Sequence, residues 1–561
     1  MTEHGSVATA AQKAPTGRRR WIGLGFLAAG LSMIVLDGTI VGVALPAIIT
    51  DLGLDLTDAQ WVNAIYAVVF AALLLSFGRL GDRRGRRTVF IGGVVVFVAA
   101  SVTAAMAHSS GGLIASRALQ GIGGAMVLPA SLSTVNATFR GRDRAAAFGV
   151  WGAVMAGMAA IGPLLGGWLT MSFDWRWIFL VNVPIGLVVG LGALRYVDDT
   201  SSDEPAGPGV DVDGLLTSAL GFGLLVFGLI EGSSIGWGRP IAALEIGPWT
   251  WSAQAPVSAA PVAIALGVVF LALFVLGERR RGNTGRSAIF DLKLFAIPTF
   301  SWGNLTAMTV AVGEFALLFV LPLYLVNVLG LSILGAGVVL AVMAAGAFFS
   351  GAMARHLAVR LRPQGVVVLG LSLEFAGVAA LALGIGPATS PVLIAACLGV
   401  YGLGLGLASA QLTSLVLADV PTRRSGTGSA TQSTVRQVGS ALGSAIGGSV
   451  LAVRLGTDLV ARLDEVDGVP AQLAHQLVRA TADSAGGALS GLRDQGAHGP
   501  LGALTPQVVD ALAAGFADAA GWAVAAAGAF LLLGLVGALQ VSRTLRHHPR
   551  HHSSHEAPRP A

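Results

Sequence analysis

The sequence is poor in charged residues and in cysteine. Asp, Glu, Lys and Arg together make up only 12% of the chain, whereas a soluble chain of this size carries about a quarter. The hydrophobic content of 54% and the mean hydropathy of +0.74 point the same way. The single cysteine, Cys397, lies inside an apolar run, which excludes disulfides and cysteine-based metal sites. We therefore expect a polytopic membrane protein rather than a set of soluble domains.

Several motifs are also missing. No G-x-x-x-x-G-K-[ST] motif occurs, so ATP is not expected to supply energy. No cluster with metal-ligand spacing occurs either, and the histidines gather mainly in the tail RHHPRHHSSHEAPRP, so we expect no cofactor and no metal. The net charge of +5 does not indicate nucleic acid, because the arginines occupy short connections between apolar runs. We do not expect an enzyme. A membrane-embedded enzyme and a channel are the two alternative functional classes against which this expectation is weighed.

Apolar runs of membrane-spanning length recur along the whole chain. A hydrocarbon core about 30 Å thick requires about 20 apolar residues per helix, and on this measure we expect about fourteen spans. The first run is followed by no small-residue cleavage site, so we expect a retained span rather than a signal peptide. The runs lie at 21–43, 59–78, 88–107, 112–134, 145–169, 177–195, 214–231, 260–277, 300–326, 334–354, 364–385, 392–417, 430–453 and 519–541.

The spans divide the chain into an all-α arrangement of six, two and six helices. Arginines are concentrated in the short connections on one side of the membrane. By the positive-inside rule, both termini are expected in the cytoplasm and the protein in the plasma membrane. The predicted organisation is a cytoplasmic tail (1–20), an N-terminal six-helix bundle (21–195), an acidic linker rich in Pro and Gly (196–212), two inserted transmembrane helices (213–277), a cytoplasmic loop (278–299), a C-terminal six-helix bundle (300–541) with a long extracellular loop (455–517), and a disordered cytoplasmic tail (542–561).

The stretch GRLGDRRGRR, residues 78–87, concentrates charge between the second and third runs. Anchoring by the positive-inside rule explains its arginines. It does not explain the single aspartate, Asp82, among spaced glycines, which permit close backbone approach. The stretch is therefore a candidate for a functional role in addition to setting the membrane topology.

GRLGDRRGRR resembles the loop signature of the major facilitator superfamily. LDGTIVGVALP (36–46), SRALQGIGGA (116–125), GMAAIGPLLGGWL (157–169) and DWRWIFLVNVPIG (174–186) resemble motifs of its fourteen-helix drug/proton antiporter branch, in the expected order. Two departures stand out: Gly42 occupies a position where asparagine is common, and MARHLAVRLR, at the place of the repeated loop motif, has no aspartate.

The resemblance implies two six-helix bundles that rock around a central cavity, with two inserted helices between them. It also implies a conformational latch and an antiporter-motif helix bent at a proline. The latch residues would be Gly78, Asp82, Arg83, Gly85 and Arg86, and those of the antiporter-motif helix Gly157, Gly162, Pro163, Gly166 and Gly167.

Ionisable residues inside the apolar runs are costly and usually functional. The first span runs outward from residue 21, so Asp37 lies about 24 Å along it. The fourth span runs inward from near residue 112, so Arg117 lies about 8 Å below the outer edge of the membrane. The two residues therefore lie at similar depths. They could form an ion pair or share a water-filled pocket, and a purely structural pair is the alternative to proton coupling. Glu314 is the third proton-coupling candidate. Glu374 could bind a cationic drug or a proton, or be a neutral structural group.

The expected function is export of amphipathic, often cationic drugs or toxic small molecules in exchange for protons, by alternating access. The alternative is a dedicated exporter of one endogenous metabolite or antibiotic. The expected partners are the small-molecule substrate, protons and the lipid bilayer, with a monomer as the expected state and no nucleic acid. The candidates for the substrate cavity are Asn63, Asn304, Glu374, Gln411 and Gln432.

Overall fold

The computed structural model describes residues 17–200, 211–246, 248–284, 290–421, 424–498 and 501–547. Within these ranges the chain is almost entirely helical, and its only sheet is a two-stranded hairpin. The composition accounts for this, because a chain surrounded by hydrocarbon must satisfy its backbone groups within its own helices.

The N-terminal part of the chain holds helices α1 to α7. The short α6 is followed almost without a break by α7, and the two together have the length of one span. The bounds are α1 (Gly17–Leu52), α2 (Leu56–Arg84), α3 (Arg86–Ala105), α4 (Ser110–Thr138), α5 (Gly141–Ser172), α6 (Trp177–Leu180) and α7 (Asn182–Tyr196).

The middle of the chain is a helical pair joined by the hairpin. It consists of α8 (Val212–Ile235), β1 (Leu244–Ile246), β2 (Trp249–Trp251) and α9 (Ala259–Asn283), with the two strands antiparallel. The Trp61 indole of α2 donates a hydrogen bond of 2.8 Å to Glu231 Oε1 of α8. The pair is therefore attached to the N-terminal helices.

The C-terminal part contains seven further helices. They are α10 (Pro298–Leu323), which continues into a π-helical turn (Tyr324–Val328), α11 (Ile333–Gly384), α12 (Pro391–Val416), α13 (Ser425–Leu463), α14 (Ala471–Asp483), α15 (Ala488–Gln495) and α16 (Thr505–His547). Capping side chains fix several helix starts throughout the molecule; for example, Ser332 accepts a 3.0 Å hydrogen bond from the backbone N–H of Gly335.

Helix α11 contains a sharp break. Its 52 residues would extend about 78 Å as one straight helix, more than twice the thickness of a hydrocarbon core. Arg362, directly before Pro363, has φ 61° and ψ 158°, which is not helical. A residue before proline is pushed away from helical geometry. We call residues 333–361 α11a and residues 363–384 α11b.

Twelve helices of the described part of the chain are long and apolar enough to cross a membrane, with α11 counted once and α5 outside the count. The protein is accordingly a multi-pass, all-helical membrane protein. Large apolar side chains remain exposed on outward-facing helices, among them Leu191, Leu276 and Leu383. Lipid is the environment that suits such surfaces.

The stretch 78–87 is not a loop. Helix α2 continues through Arg84, Gly85 alone breaks the helix at φ 100°, and α3 begins at Arg86. Leu and Arg are good helix formers, so a helix can continue beyond the membrane boundary where hydropathy ends the span.

The segment 455–517 also differs from its prediction as a long loop. Helix α13 extends to Leu463, α14 and α15 follow, and α16 begins at Thr505 rather than near 519. These helices are amphipathic: Leu459, Val478 and Leu489 are buried whereas many intervening residues are exposed. A window of mean hydropathy averages the two faces, so the sequence appears only moderately polar.

The predicted boundaries of tails and connections also shift. Helix α1 begins at Gly17, within the predicted tail 1–20, and α16 reaches His547, within the predicted disordered tail 542–561. The predicted cytoplasmic loop 278–299 contains the end of α9, a short 3₁₀ helix (Leu292–Ala296) and the start of α10. Residues 1–16 and 548–561 of the predicted tails, 201–210 of the predicted linker (196–212) and 285–289 of the predicted loop lie outside the described residues.

Helices α14 and α15, with the turn between them, are bonded to the C-terminal helices and lie within electrostatic range of the start of α2. Arg493 of α15 donates hydrogen bonds to the carbonyl oxygens of Asn327 and Val328, at 2.8 and 2.6 Å, in the π-helical turn after α10. Partial burial and the nearby Asp55 carboxylate raise the pKa of Asp483 at the end of α14. Since Asp55 caps the start of α2, these helices reach from the N-terminal helices to the C-terminal ones.

Candidate functional site

An ion pair lies in the centre of the N-terminal helices. Asp37 of α1 and Arg117 of α4 are buried, with 0% and 1% of their surface exposed, and an Arg117 Nη atom contacts Asp37 Oδ2 directly. The two residues are eighty positions apart in sequence. Two charges held this far from water must be closely paired and hydrogen-bonded.

Three further polar side chains complete the surroundings of Asp37. Its Oδ1 accepts hydrogen bonds from the amides of Gln120, at 2.9 Å, and Asn182, at 3.1 Å. Both amides also contact Ser101 Oγ, at 2.9 and 3.2 Å. Both carboxylate oxygens of Asp37 are therefore occupied, and the cluster joins α1, α3, α4 and α7.

Arg117 is fixed independently of Asp37. Its Nε donates to the carbonyl of Val62, its Nη1 donates to Gln120 Oε1 at 2.7 Å, and its guanidinium lies over the Tyr66 ring, 4.5 Å from the centroid. A guanidinium held on several sides by planar contacts keeps its orientation when one partner changes.

Sequence reasoning missed Gln120, Asn182 and Ser101. The first two lie inside the quoted motifs SRALQGIGGA and DWRWIFLVNVPIG, so a search for amides within the motifs could have identified them. Ser101 carries no such signal, because serine is common in membrane helices as a packing residue.

The C-terminal helices hold a second group of charges. Glu314 of α10 pairs with Arg436 of α13 at 3.2 Å, with 12% and 47% of their side chains exposed. Arg436 was not predicted. Glu374 of α11b is fully buried, and neither of its carboxylate oxygens has a hydrogen-bond partner in the part of the chain that the structure describes. The structure thus distinguishes three predicted acids: a fully bonded Asp37, a mostly buried Glu314 in an ion pair, and a Glu374 without hydrogen-bond partners.

A small cavity of about 20 Å³ lies where the two parts of the chain meet. Its lining comes from α1, α2, α5, α10, α11 and α13, and is mostly apolar. Gly42 forms part of the wall, and a Cβ there would lie 3.2 Å from the Leu318 carbonyl oxygen. A small residue at this position permits the close approach of α1 and α10.

Among the predicted cavity residues, only Asn63 lines this cavity. Asn304 is buried, and its amide donates to the Phe300 carbonyl at 2.8 Å. Gln432 bonds Thr413 at 3.2 Å, and Gln411 is partly buried. The structure therefore does not bring these candidates together as one polar surface.

The predicted antiporter-motif helix is α5, and its glycines mark close contacts. A Cβ at Gly162 would lie 2.0 Å from Thr39 Oγ1, and one at Gly166 2.9 Å from the Ile40 carbonyl. A Cβ at Gly167 would lie 2.9 Å from the Leu334 Cα of α11a, whereas one at Gly157 would meet no described atom within 4 Å beyond its own helical turn. Pro163 lies inside the helix, and a Cβ at Gly337 of α11a would meet its carbonyl at 2.6 Å. Helix α5 therefore packs on α1 and α11a with almost no space between backbones.

The predicted latch residues lie at the α2–α3 junction. Asp82 accepts two hydrogen bonds from Arg86, at 2.9 and 2.8 Å, across the break at Gly85. The carboxylate of Asp199 accepts from the Arg87 backbone N–H and from the Thr88 hydroxyl, both at 3.2 Å. A Cβ at Gly85 would lie 2.5 Å from Asp199 Oδ2. Gly78 packs on Pro129, and Arg83 is exposed. The predicted linker thus supplies the acid that covers the start of α3.

The fold and this site define a multi-pass membrane protein whose helical halves enclose a cavity and hold buried charge. A bacterial homologue of the human lysosomal transporter Spinster, in an inward-facing, unoccupied conformation, superimposes with a TM-score of 0.62 at 17% identity, covering 95% of this chain and 99% of that one. At this identity the likeness concerns the fold alone.

The model of the Major Facilitator Superfamily matches residues 26–444, and the chain belongs to that family. The probable actinorhodin transporter of Streptomyces coelicolor is 32% identical over 80% of this chain and 76% of its own length. The multidrug resistance protein Stp of Mycobacterium tuberculosis is 32% identical over 81% of this chain and 80% of its own length.

Proposed function

We propose that this protein is a proton-driven exporter of amphipathic, often cationic drugs or toxic small molecules in the plasma membrane. The observation that carries the proposal is the buried Asp37–Arg117 pair near the cavity between the two halves. Ionisable groups inside a membrane mark ion pathways and proton relays. The names of the relatives, a transporter of actinorhodin and a multidrug resistance protein, support export of small molecules.

Asp37 is the proton carrier in this proposal. Arg117 keeps its charge at any physiological pH and cannot exchange protons. In the present arrangement Arg117, Gln120 and Asn182 all donate to Asp37 and occupy both of its carboxylate oxygens. A movement of α1 against α4 that breaks these bonds frees the carboxyl group to take up a proton. Glu314, paired with the partly exposed Arg436, is the second candidate for proton exchange.

The proposed transport mechanism is alternating access, with the two helical bundles as its moving parts. The N-terminal bundle (21–195) and the C-terminal bundle (300–541) rock about the cavity. The antiporter-motif helix α5 forms the close contact with α11a, and the Asp82–Arg86 junction is the latch. Asn63 contacts substrate at the cavity wall, and Asn304, Glu374, Gln411 and Gln432 are further candidates exposed as the bundles move.

The proposed topology has about fourteen crossings. Counting α11a and α11b separately, and adding the 32-residue α5, brings the twelve candidate spans to this number. The inserted pair α8 and α9 supplies two of them. Both termini lie in the cytoplasm under the positive-inside rule, and α14 and α15 then face the outside.

A dedicated exporter of one compound is the second candidate. The observation in its favour is the actinorhodin transporter among the relatives, a protein named for a single compound. Comparing the sensitivity of cells that lack and cells that overproduce the protein, across a broad compound panel, separates the two functions. Resistance to one chemical class favours the dedicated exporter.

Transport by everted membrane vesicles tests the proposal directly. Accumulation of a fluorescent compound should persist under an imposed pH gradient without ATP, and should collapse when a protonophore is added. Vesicles without the protein provide the background. Accumulation that requires ATP, or that is unaffected by the protonophore, would overturn proton-driven export.

A further inference from the structure

The C-terminal half contains a carboxylic acid that no other group satisfies. Glu374 has 0% of its surface exposed, and both of its side-chain oxygens lack a hydrogen-bond partner among the described residues. Its Cγ and backbone pack on Gly404 of α12, where an added Cβ would lie 2.9 Å from the Cγ. An ionised carboxylate without partners in such a place costs far more than the neutral acid, so the group carries a proton in this arrangement.

The charged groups that act on Glu374 are those of the pair beside it. Glu314 from α10 and Arg436 from α13 lie within electrostatic range. From α12, Tyr401 is fully buried, and its hydroxyl also lacks a hydrogen-bond partner. Arg436 is already held by Glu314 at 3.2 Å. The partly exposed pair therefore lies within electrostatic range of a buried carboxyl and a buried hydroxyl that have no hydrogen-bond partner among the described residues.

The two halves of the molecule place polar groups on corresponding helices, as repeats in transporters do. In the first helix of each half an acid precedes a proline by a similar spacing: Asp37 before Pro46, and Glu314 before Pro322. In the N-terminal half, α3 and α4 contribute Ser101 and Gln120, which bond to each other. In the C-terminal half, the corresponding α11b and α12 contribute the unbonded groups of Glu374 and Tyr401.

From this arrangement we propose that Glu374 is a second proton-binding site, separate from Asp37, which is loaded in the present conformation and discharges when the C-terminal helices move. Discharge transfers the carboxyl proton to water, leaving a Glu374 carboxylate and a hydronium ion. Arg436, once released from Glu314, can then pair with the new carboxylate. The inference rests on the proposed function, because it assigns one coupled proton to this side chain.

Infrared spectroscopy of the purified full-length protein tests whether the proton is present. At neutral pH, exposed carboxyl groups are ionised, so a carbonyl-stretch band of a protonated carboxylic acid should come from Glu374. The band should vanish in Glu374→Gln and remain in Glu465→Gln, whose carboxylate is exposed. A band that survives Glu374→Gln overturns the proposal. If that variant does not fold, Glu374→Met, which also lacks charge, takes its place.

Proton counting in proteoliposomes tests whether the site is coupled to transport. For a compound that both the wild type and the variant export, Glu374→Gln should lower the number of protons moved per compound by about one. An unchanged ratio, together with a lost infrared band, identifies Glu374 as a structural acid and overturns the proposal. If the wild type moves no protons, the proposed function fails instead, and the infrared result still reports the protonation of Glu374.

Discussion

At the scale of single residues, Asp37 is the position where one substitution is expected to have the largest effect. Asp37→Asn keeps the shape and some hydrogen bonds but removes the exchangeable proton and the charge that faces Arg117. We expect proton-coupled export to fall to background, while binding of an exported compound to purified protein is partly retained. Compound binding and proton release should be measured together in detergent.

Two companion variants sharpen this prediction. Arg117→Lys should also be impaired, since one ammonium cannot reproduce contacts to Asp37, Gln120 and the Val62 carbonyl. The exposed Glu465→Gln should behave as wild type. Breaking a buried ion pair costs about 3–5 kcal/mol, so thermal unfolding must be recorded to separate lost coupling from lost folding. Wild-type proton release from a folded Asp37→Asn protein would transfer the coupling role to Glu314.

The single residues of the site were predictable only in part. Asp37, Arg117, Glu314 and Glu374 are conspicuous because a charge in an apolar run is rare and costly. Their partners were not, because Gln120, Asn182 and Arg436 are brought to the acids by helix packing, which the local sequence does not encode. The contrast between a satisfied Asp37 and an isolated Glu374 is a property of those packed surroundings.

At the scale of helices, the contact between α5 and α11a makes a specific prediction. Gly337→Ala places a Cβ 2.6 Å from the Pro163 carbonyl oxygen, and overpacking of this kind costs about 1–3 kcal/mol. The conformation with this contact closed should lose population by about 5- to 150-fold. We expect slower export at a normal protein level in the membrane, measured as the initial rate in vesicles.

Gly157→Ala is the matched control for that substitution. It introduces the same methyl group on α5, but at a glycine with no atom within 4 Å, and export should be unchanged. Equal rates for the two variants would show that the close approach of α5 and α11a is not needed for turnover.

The α2–α3 junction gives a second prediction at this scale. Asp82→Asn weakens the pair with Arg86, which is partly exposed and worth only about 0.3–0.5 kcal/mol for stability. If Asp82 acts in a latch, export should fall several-fold while expression and thermal stability stay near wild type. Arg84→Gln, at an exposed position of the same turn, should have a smaller effect. If neither variant changes the rate of export, this stretch serves only to anchor the membrane topology.

Helices were predictable where hydropathy is uniform, and less so where it changes along or around the helix. The starts of α1 and α11a and both ends of α11b were located within a few residues, whereas α1 and α11a continue beyond their predicted ends at residues 43 and 354. Helices α14 and α15 were missed because each has one polar face and one buried face, and α2 was ended too early because its last turn is polar but still helical. Hydropathy reports the membrane boundary, whereas hydrogen bonding decides where the helix ends.

At the scale of the whole molecule, the proposed orientation can be tested by cysteine accessibility. Cys397 is the only cysteine of the chain, and Cys397→Ser gives a background without thiols. Single cysteines introduced at Arg84 and Arg355 should react with an impermeant maleimide only after the cells are opened. One introduced at Ser490 of α15 should react in intact cells. The opposite pattern would invert the topology, and mixed labelling would contradict the count of about fourteen crossings.

The reach of α14 and α15 across the molecule has a pharmacological consequence. Arg493 is bonded to the carbonyl groups that follow α10, the helix that carries Glu314, while Asp483 lies near the cap of α2. In the proposed orientation these helices are open to the medium. An antibody fragment or cyclic peptide that binds them would restrain α10 and α2 together. It would inhibit the pump from outside the cell, without entering the cell and without competing with compounds in the cavity.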